Sequence, residues 1–334
     1  MLGGYMKHST LFKKWVKKTT PLTGLVVDAA WPEWWSESLD GDEEAHKELR
    51  RTLSTRLGLA VDSLDLTGTP RFVWDDRIKY KNFRGDLAEA LPALSSFGMA
   101  LTKIIRQGMQ PTQGITGISS ASLRQVLIQG IPFIQLETLL KFLWSINLPV
   151  LHLQLLPLTA KYMCGMTVHD EYGYAIFLAK NDFYPAALAF YLAHEIGHIA
   201  LGHIGLNFAL VDVEASDFNP IQNDEEELAA DQYALELLTG VTHLSFSVTG
   251  GNQSSIGLAK ECLRLSLEYG IEPATIALCY GFESHDWRTA QASLRYIYTL
   301  ANPAWQTVND YFHSHIDWGA LGEHSSFVRT VILS

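Results

Sequence analysis

The chain has 334 residues, 47% apolar and 18% charged, with a net charge of −11. That size and apolar content supply a core without covalent staples and suggest two or three structural units. The acidic balance argues against nucleic-acid binding over the whole surface. Three widely spaced cysteines, Cys164, Cys262 and Cys279, with no CxxC pair, make no disulfide framework and fit a reducing compartment.

Residues 7–18 set Lys7, Lys13, Lys14, Lys17 and Lys18 around Leu11, Phe12, Trp15 and Val16. This basic, partly amphipathic stretch reads as a solvated terminal helix rather than a membrane or nucleic-acid contact. The lysines also interrupt any signal-type apolar region, and no apolar run reaches the roughly 20 residues a bilayer requires. A cytoplasmic protein without membrane contact is expected. The cluster Trp31-Pro32-Glu33-Trp34-Trp35 reads as a packing plug.

A charged helix is expected over 42–57, closed by Gly58, and a second over 86–107. The Gly/Ser/Thr-rich stretch 108–120 is the best linker. Two short helices follow at 121–129 and 135–146, then strands at 149–155, 163–168 and 174–180, the last two joined by a turn at 169–173. Pro185 suits the first turn of a long helix that Gly202 or Gly205 would end. Another helix runs over 224–238, with Gly240 beyond it, and residues 254–300 are helical with breaks at Gly270 and Pro273. The fold class is α+β: a short sheet packed on one long helix, flanked by helical regions. The segments divide as 1–110, 111–245 and 246–334.

The chemistry concentrates at His194-Glu195-Ile196-Gly197-His198. An offset of four residues puts both imidazoles on one helical face, one turn apart. Two nitrogens can then converge on one Zn2+ while Glu195, beside them, acts on water without being a ligand. A random HExxH in a chain of this composition is expected about 0.02 times. The flanking residues 183–192 are apolar, so three ionisable groups there need compensation. The alternative is a set of hydrogen-bonded core histidines beside a partly exposed glutamate.

Catalytic zinc normally has three protein ligands. A metzincin pattern would need Gly at 201 and His at 204, where the chain has Leu201 and Ile204. His203 is about half a turn out of phase and reads as a helix C-terminal residue. On the helix at 224–238, Glu227 and Asp231 share a face. Glu227 is the candidate third ligand, and Asp231 the acceptor for the far nitrogen of a ligating histidine. Asp224 and Glu227 also form a capping-box spacing, but pairing with HExxH favours the ligand role. Glu226 is the reserve ligand.

These two motifs, His194 to His203 and Glu227-Leu228-Ala229-Ala230-Asp231-Gln232-Tyr233-Ala234, resemble the ImmA/IrrE family of zinc metallopeptidases over roughly residues 120–240. The resemblance implies a gluzincin-like domain with Zn2+ held by His194, His198 and Glu227, and Glu195 as general base. It further implies a zinc endopeptidase cleaving a specific regulatory protein, such as a transcriptional repressor or antitoxin. The competing class is a zinc-stabilised interaction module, a toxin–antitoxin or phage-defence component that acts by binding. A third is a sensor whose terminal regions gate the site. No helix-turn-helix is read in residues 44–83, so direct DNA binding is not expected. If residues 174–180 form a sheet edge, substrate could add there as a strand. His169, Tyr174, His203 and His243 are candidate oxyanion stabilisers. Cys164 reads as a buried inert thiol, with an inhibitory thiolate ligand as the alternative.

Overall fold

The computed structural model describes residues 8–74, 78–81, 91–158, 163–213, 225–242, 254–299 and 302–333. Residues 86–90 of the second expected helix, Asp224 and His243 lie outside these ranges. The basic stretch forms α1 (His8–Thr19), and it is docked rather than solvated. Phe12 and Val16, four apart, are buried. Lys13 and Lys17, at the same spacing, both reach Asp28 of α2 (Gly24–Ala30), at 2.8 and 2.7 Å. Then α3 (Glu43–Leu57) starts where the Asp42 carboxylate accepts from the Glu44 and Ala45 amides and stops at left-handed Gly58. The tryptophan cluster packs against the same core, as its composition suggests.

The chain continues through β1 (Ile78–Lys81), α4 (Leu91–Arg106), α5 (Ser120–Leu127), α6 (Leu136–Ser145), β2 (Val150–His152), β3 (Met163–Asp170) and β4 (Gly173–Leu178). The stretch read as a linker is strapped down. Thr112 and Gln113 amides donate to Tyr172 and Ile146 carbonyls at 2.8 and 2.9 Å, and Gly117 to Ala200 at 2.7 Å. Next come α7 (Pro185–Ala200), β5 (Phe208–Val213), α8 (Glu225–Thr239), α9 (Ser255–Tyr269), α10 (Pro273–Ser284), α11 (Trp287–Ile297), α12 (Ala304–His315) and α13 (Ser325–Leu333). The α9–α10 break falls at Gly270, in the left-handed region, and at Pro273, the first residue of α10.

The five strands form one mixed sheet in the order β1-β5-β3-β4-β2. β3 is antiparallel to both β4 and β5, while β1 runs parallel to β5 and β2 parallel to β4. Residues 174–180 are therefore not a sheet edge: β4 lies between β3 and β2, and β2 takes up the far side of residues 176–178. Strand β2, which does lie at the edge, is covered. Asn309 of α12 accepts from the His152 amide at 2.7 Å and donates to the His152 carbonyl at 2.9 Å, which supplies the pairing an edge strand lacks.

Alternation along the strands splits the core in two. On one face Met166, Val168, Ala175, Phe177, Ala209 and Val211 pack on α4 and on residues from both ends of the chain, including Leu53 and Phe327. On the other, Tyr174, Ile176, Leu178 and Leu210 pack against α6, α7 and α8. A third cluster joins α9, α10 and α11 to Ala186 at the start of α7. The helix α7 thus sits between the sheet and α8, in contact with all three layers that position the site.

His152 is fully buried on β2. A neutral ring with its proton on Nε2 donates to the Lys180 carbonyl at 2.9 Å and accepts at Nδ1 from the Gln154 amide at 2.8 Å. Burial pushes its pKa down to about 4, against the raising effect of the Lys180 carbonyl. A folded pKa below the unfolded one means that this group's contribution is complete above the unfolded value, near 6.5, and disappears as pH falls toward 4. His152→Gln should flatten the stability–pH profile across that window by up to about 3 kcal/mol. Urea unfolding of both proteins above and below the window measures this, and parallel profiles would refute it.

Candidate metal centre

Helix α7 opens on Pro185 and buries every residue from Leu192 to Ala200. Its end is set by a Schellman turn: the Gly202 amide donates to Ile199 at 3.2 Å and the His203 amide to His198 at 3.0 Å, with Gly202 at φ 74°. That turn swings His203 back beside the helix, where its Nδ1 lies 2.8 Å from Nδ1 of His198. His203 therefore touches the outer nitrogen of a histidine and is not among the residues whose donor atoms converge.

The His194 and His198 rings meet edge to face at 4.6 Å, with their Nε2 atoms 2.9 Å apart. From α8, Glu227 presents Oε2 to His194 Nε2 at 3.4 Å and Oε1 to His198 Nε2 at 3.3 Å. Asp231, half exposed one turn further on, accepts from His194 Nδ1 at 2.8 Å. The helices can approach this closely because Gly197 lies against Ala230, where an added Cβ would come 3.1 Å from the Ala230 carbonyl oxygen. Glu226, the reserve ligand, is not in the group, and neither is Cys164.

One member was not anticipated. Asp212 of β5 places Oδ2 3.1 Å from His194 Nε2. His194, His198, Asp212 and Glu227 each offer a ligand atom, all within 4.8 Å of one another. Asp212 stands directly opposite Gly165 of β3 in the sheet register. The available signal was an acid in the otherwise apolar run 208–213, which needs a partner once it is buried.

Glu195 is buried against β3. Its Oε2 accepts from Thr167 Oγ1 at 2.5 Å, and its Oε1 lies over Gly165, with no hydrogen-bond partner. Burial, reinforced by the nearby charge of Asp212, holds the Glu195 carboxyl well above the usual carboxylate range. Burial would also raise Glu227, but hydrogen bonds from His194 and His198 outweigh it and hold that carboxyl low. For His194, burial favours the neutral ring. Bonds to Asp212, Asp231 and Glu227 overcome that and raise its pKa well above the ordinary value.

This arrangement fits a bound cation. Asp231 accepts from His194 Nδ1, which leaves Nε2 as the atom that faces the His198 Nε2 and two carboxylates. Without a cation that nitrogen must carry a proton to satisfy the acids, and with one bound it would be free to act as a ligand. Three carboxylates lie together in a buried layer, and the Oδ1 of Asp212 and Oε1 of Glu195 have no hydrogen-bond partner. Buried acids at this density need a positive charge among them. Two imidazole nitrogens and two carboxylate oxygens are a donor set that suits zinc.

The remaining candidates have other partners. His169 stacks on Tyr174 with ring centroids 4.0 Å apart and contacts the Ile204 carbonyl through Nδ1 at 3.2 Å. The Tyr174 hydroxyl lies 3.4 Å from Thr116 Oγ1. His169 does not belong to the converging group.

Residues 163–245 match the model of a family described as Peptidase U49. The match indicates a peptidase, and the segment it covers runs from β3 through α8, so it contains all four converging residues and Glu195. No curated protein and no solved structure matches the chain. No helix among the described residues is long and apolar enough to cross a membrane.

Gly165 tests the seating of Glu195. A Cβ there would come 2.1 Å from Glu195 Oε1. Gly165→Ala should therefore cost about 1–3 kcal/mol by overpacking and expel the carboxylate from its bond with Thr167. An unfolding midpoint in urea equal to that of the wild type would show that the carboxylate does not rest against β3.

Proposed function

We propose that the protein is a zinc-dependent endopeptidase that cleaves a specific regulatory protein, such as a repressor or an antitoxin, in a reducing cytoplasm. The observation that carries this reading is the pairing of roles on α7. Two histidine Nε2 atoms and Glu227 surround one point, while Glu195 lies beside them, held by Thr167 rather than turned toward the donors. The peptidase match over the same segment supports hydrolysis of a peptide bond. The likeness of both motifs to the ImmA/IrrE metallopeptidases supports zinc and a protein substrate within the same cell.

His194, His198 and Glu227 would hold the ion, and Asp231 would fix the His194 tautomer. Bound zinc supplies Lewis-acid chemistry, polarising a carbonyl oxygen and acidifying water. Glu195 would take a proton from the attacking water and return it to the leaving amine. Thr167 keeps one carboxylate oxygen occupied, so that Oε1 is the atom left to accept.

A second reading has one observation in its favour. Four protein donors, with Asp212 included, are the number found in structural zinc sites. The chain would then be a zinc-stabilised interaction module of a toxin–antitoxin or phage-defence system. Glu195 has no use in such a module.

Glu195→Gln separates the two, because glutamine keeps the Thr167 hydrogen bond and removes the proton acceptor. The variant should bind zinc like the wild type and cleave about 100- to 10,000-fold more slowly. The assay is co-expression with the products of adjacent genes, followed by mass spectrometry of new protein termini. If zinc-loaded wild type generates no termini that the variant lacks, the peptidase reading falls and the binding module stands.

A further inference from the structure

The fourth donor has a consequence for how the site would work. We infer that Asp212 is itself a metal ligand, occupying the position that a hydrolytic water needs, so that the centre is latent until this carboxylate swings away. The inference rests on the metal reading above and adds to it a residue and a resting state.

Two ligand atoms about 2.0–2.1 Å from a shared tetrahedral centre stand about 3.3–3.4 Å apart. The separations here are 2.9 Å between the two Nε2 atoms, 3.1 Å from His194 Nε2 to Asp212 Oδ2, and 3.4 and 3.3 Å from the two Nε2 atoms to Glu227. The remaining pairs lie within 4.8 Å. Asp212 thus meets His194 at the separation of an inner ligand, as closely as Glu227 does. Asp231 serves His194 differently, from the opposite nitrogen.

The sheet builds this position. Asp212 alternates with Val211, which packs on the α4 face, so its side chain shares the α7 face with Leu210. Directly across β3 stands Gly165, whose missing Cβ leaves room for Glu195 next to Asp212. The two carboxylates are therefore neighbours on one side of the histidines. Catalytic zinc keeps one of its four positions for water. With Asp212 in that place, water enters only when the carboxylate leaves or the shell expands to five.

Cobalt substitution reads this without an activity assay. Wild type, Asp212→Ala, Asp212→Asn and Asp231→Asn are loaded with Co2+. Affinity is measured by competition with a chromophoric chelator, and azide is added while the visible spectrum is recorded. Asp231→Asn, which loses only an outer contact, should weaken binding by about 10- to 100-fold. Loss of an inner ligand in Asp212→Ala should weaken it by more than about 100-fold and open a position, so that azide shifts the spectrum of this variant and not of the wild type. Asp212→Asn preserves the side-chain volume and should weaken binding in the same direction, which covers the case in which the alanine variant does not fold. Unchanged affinity in the folded Asp212 variants, or a wild-type azide response equal to theirs, overturns the role of Asp212 and leaves the metal centre in place. A wild type that binds no cobalt and no zinc overturns the metal centre itself.

Discussion

Two carboxylates, Asp212 and Glu227, converge with two imidazoles in the layer between the sheet and α8, with Glu195 beside them, and the rest of the site is arranged around that concentration of acids. In water such a group would disperse. In a buried layer each uncompensated charge costs several kcal/mol, so the cluster requires a cation, or protons in its place. The opposite shifts follow from this one constraint: His194 and Glu195 are driven toward their protonated forms, and Glu227, which faces both histidines, toward its ionised one. Asp231 and His203 complete the arrangement from outside by engaging the two Nδ1 atoms, which directs both Nε2 atoms inward.

Holding such a cluster together requires a stiff frame, and the close approaches show where the stiffness lies. Gly197 lets α8 come against α7, and Gly165 lets the Glu195 carboxylate come against β3. In each case the absent Cβ is replaced by a functional contact. Gly98 does the same on the far side of the sheet, where an added Cβ would come 2.5 Å from Met166, so β3 is tightly packed on both faces.

The segment that matches the peptidase family does not bury its own sheet. Met166, Val168, Phe177 and Val211 are covered by α4 and by residues from both ends of the chain, among them Leu53 and Phe327. The two terminal regions are joined in turn by Arg56, a buried cation that donates to the carbonyls of Ala30 and Glu323 at 3.1 and 2.5 Å. The helices α9 to α11 form a separate apolar cluster at the opening turn of α7. The parts of the chain outside the peptidase match therefore carry the load-spreading side of the fold, and the chemistry is confined to one face of one sheet.

Local patterns in the sequence were enough to place α3 with its Gly58 stop, the β3–β4 hairpin, the Pro185 start of α7 with its end at Gly202 or Gly205, and the breaks at Gly270 and Pro273. Each depends on residues within a turn or two of one another, as does the i, i+4 pairing of His194 with His198 and of Glu227 with Asp231. The strand order did not follow from such patterns. β5 joins the sheet between β1 and β3, and β4 is enclosed by β2, because pairing is chosen by long-range packing rather than by neighbouring residues. Asp212 was hidden for the same reason. An acid in a short apolar strand has no helical periodicity to mark it, and only the register that sets it opposite Gly165 brings it to His194. Helical periodicity sets which residues can share a helix face. Which strand would face that helix was decided by the tertiary structure, since burial of both faces of the sheet couples segments more than a hundred residues apart.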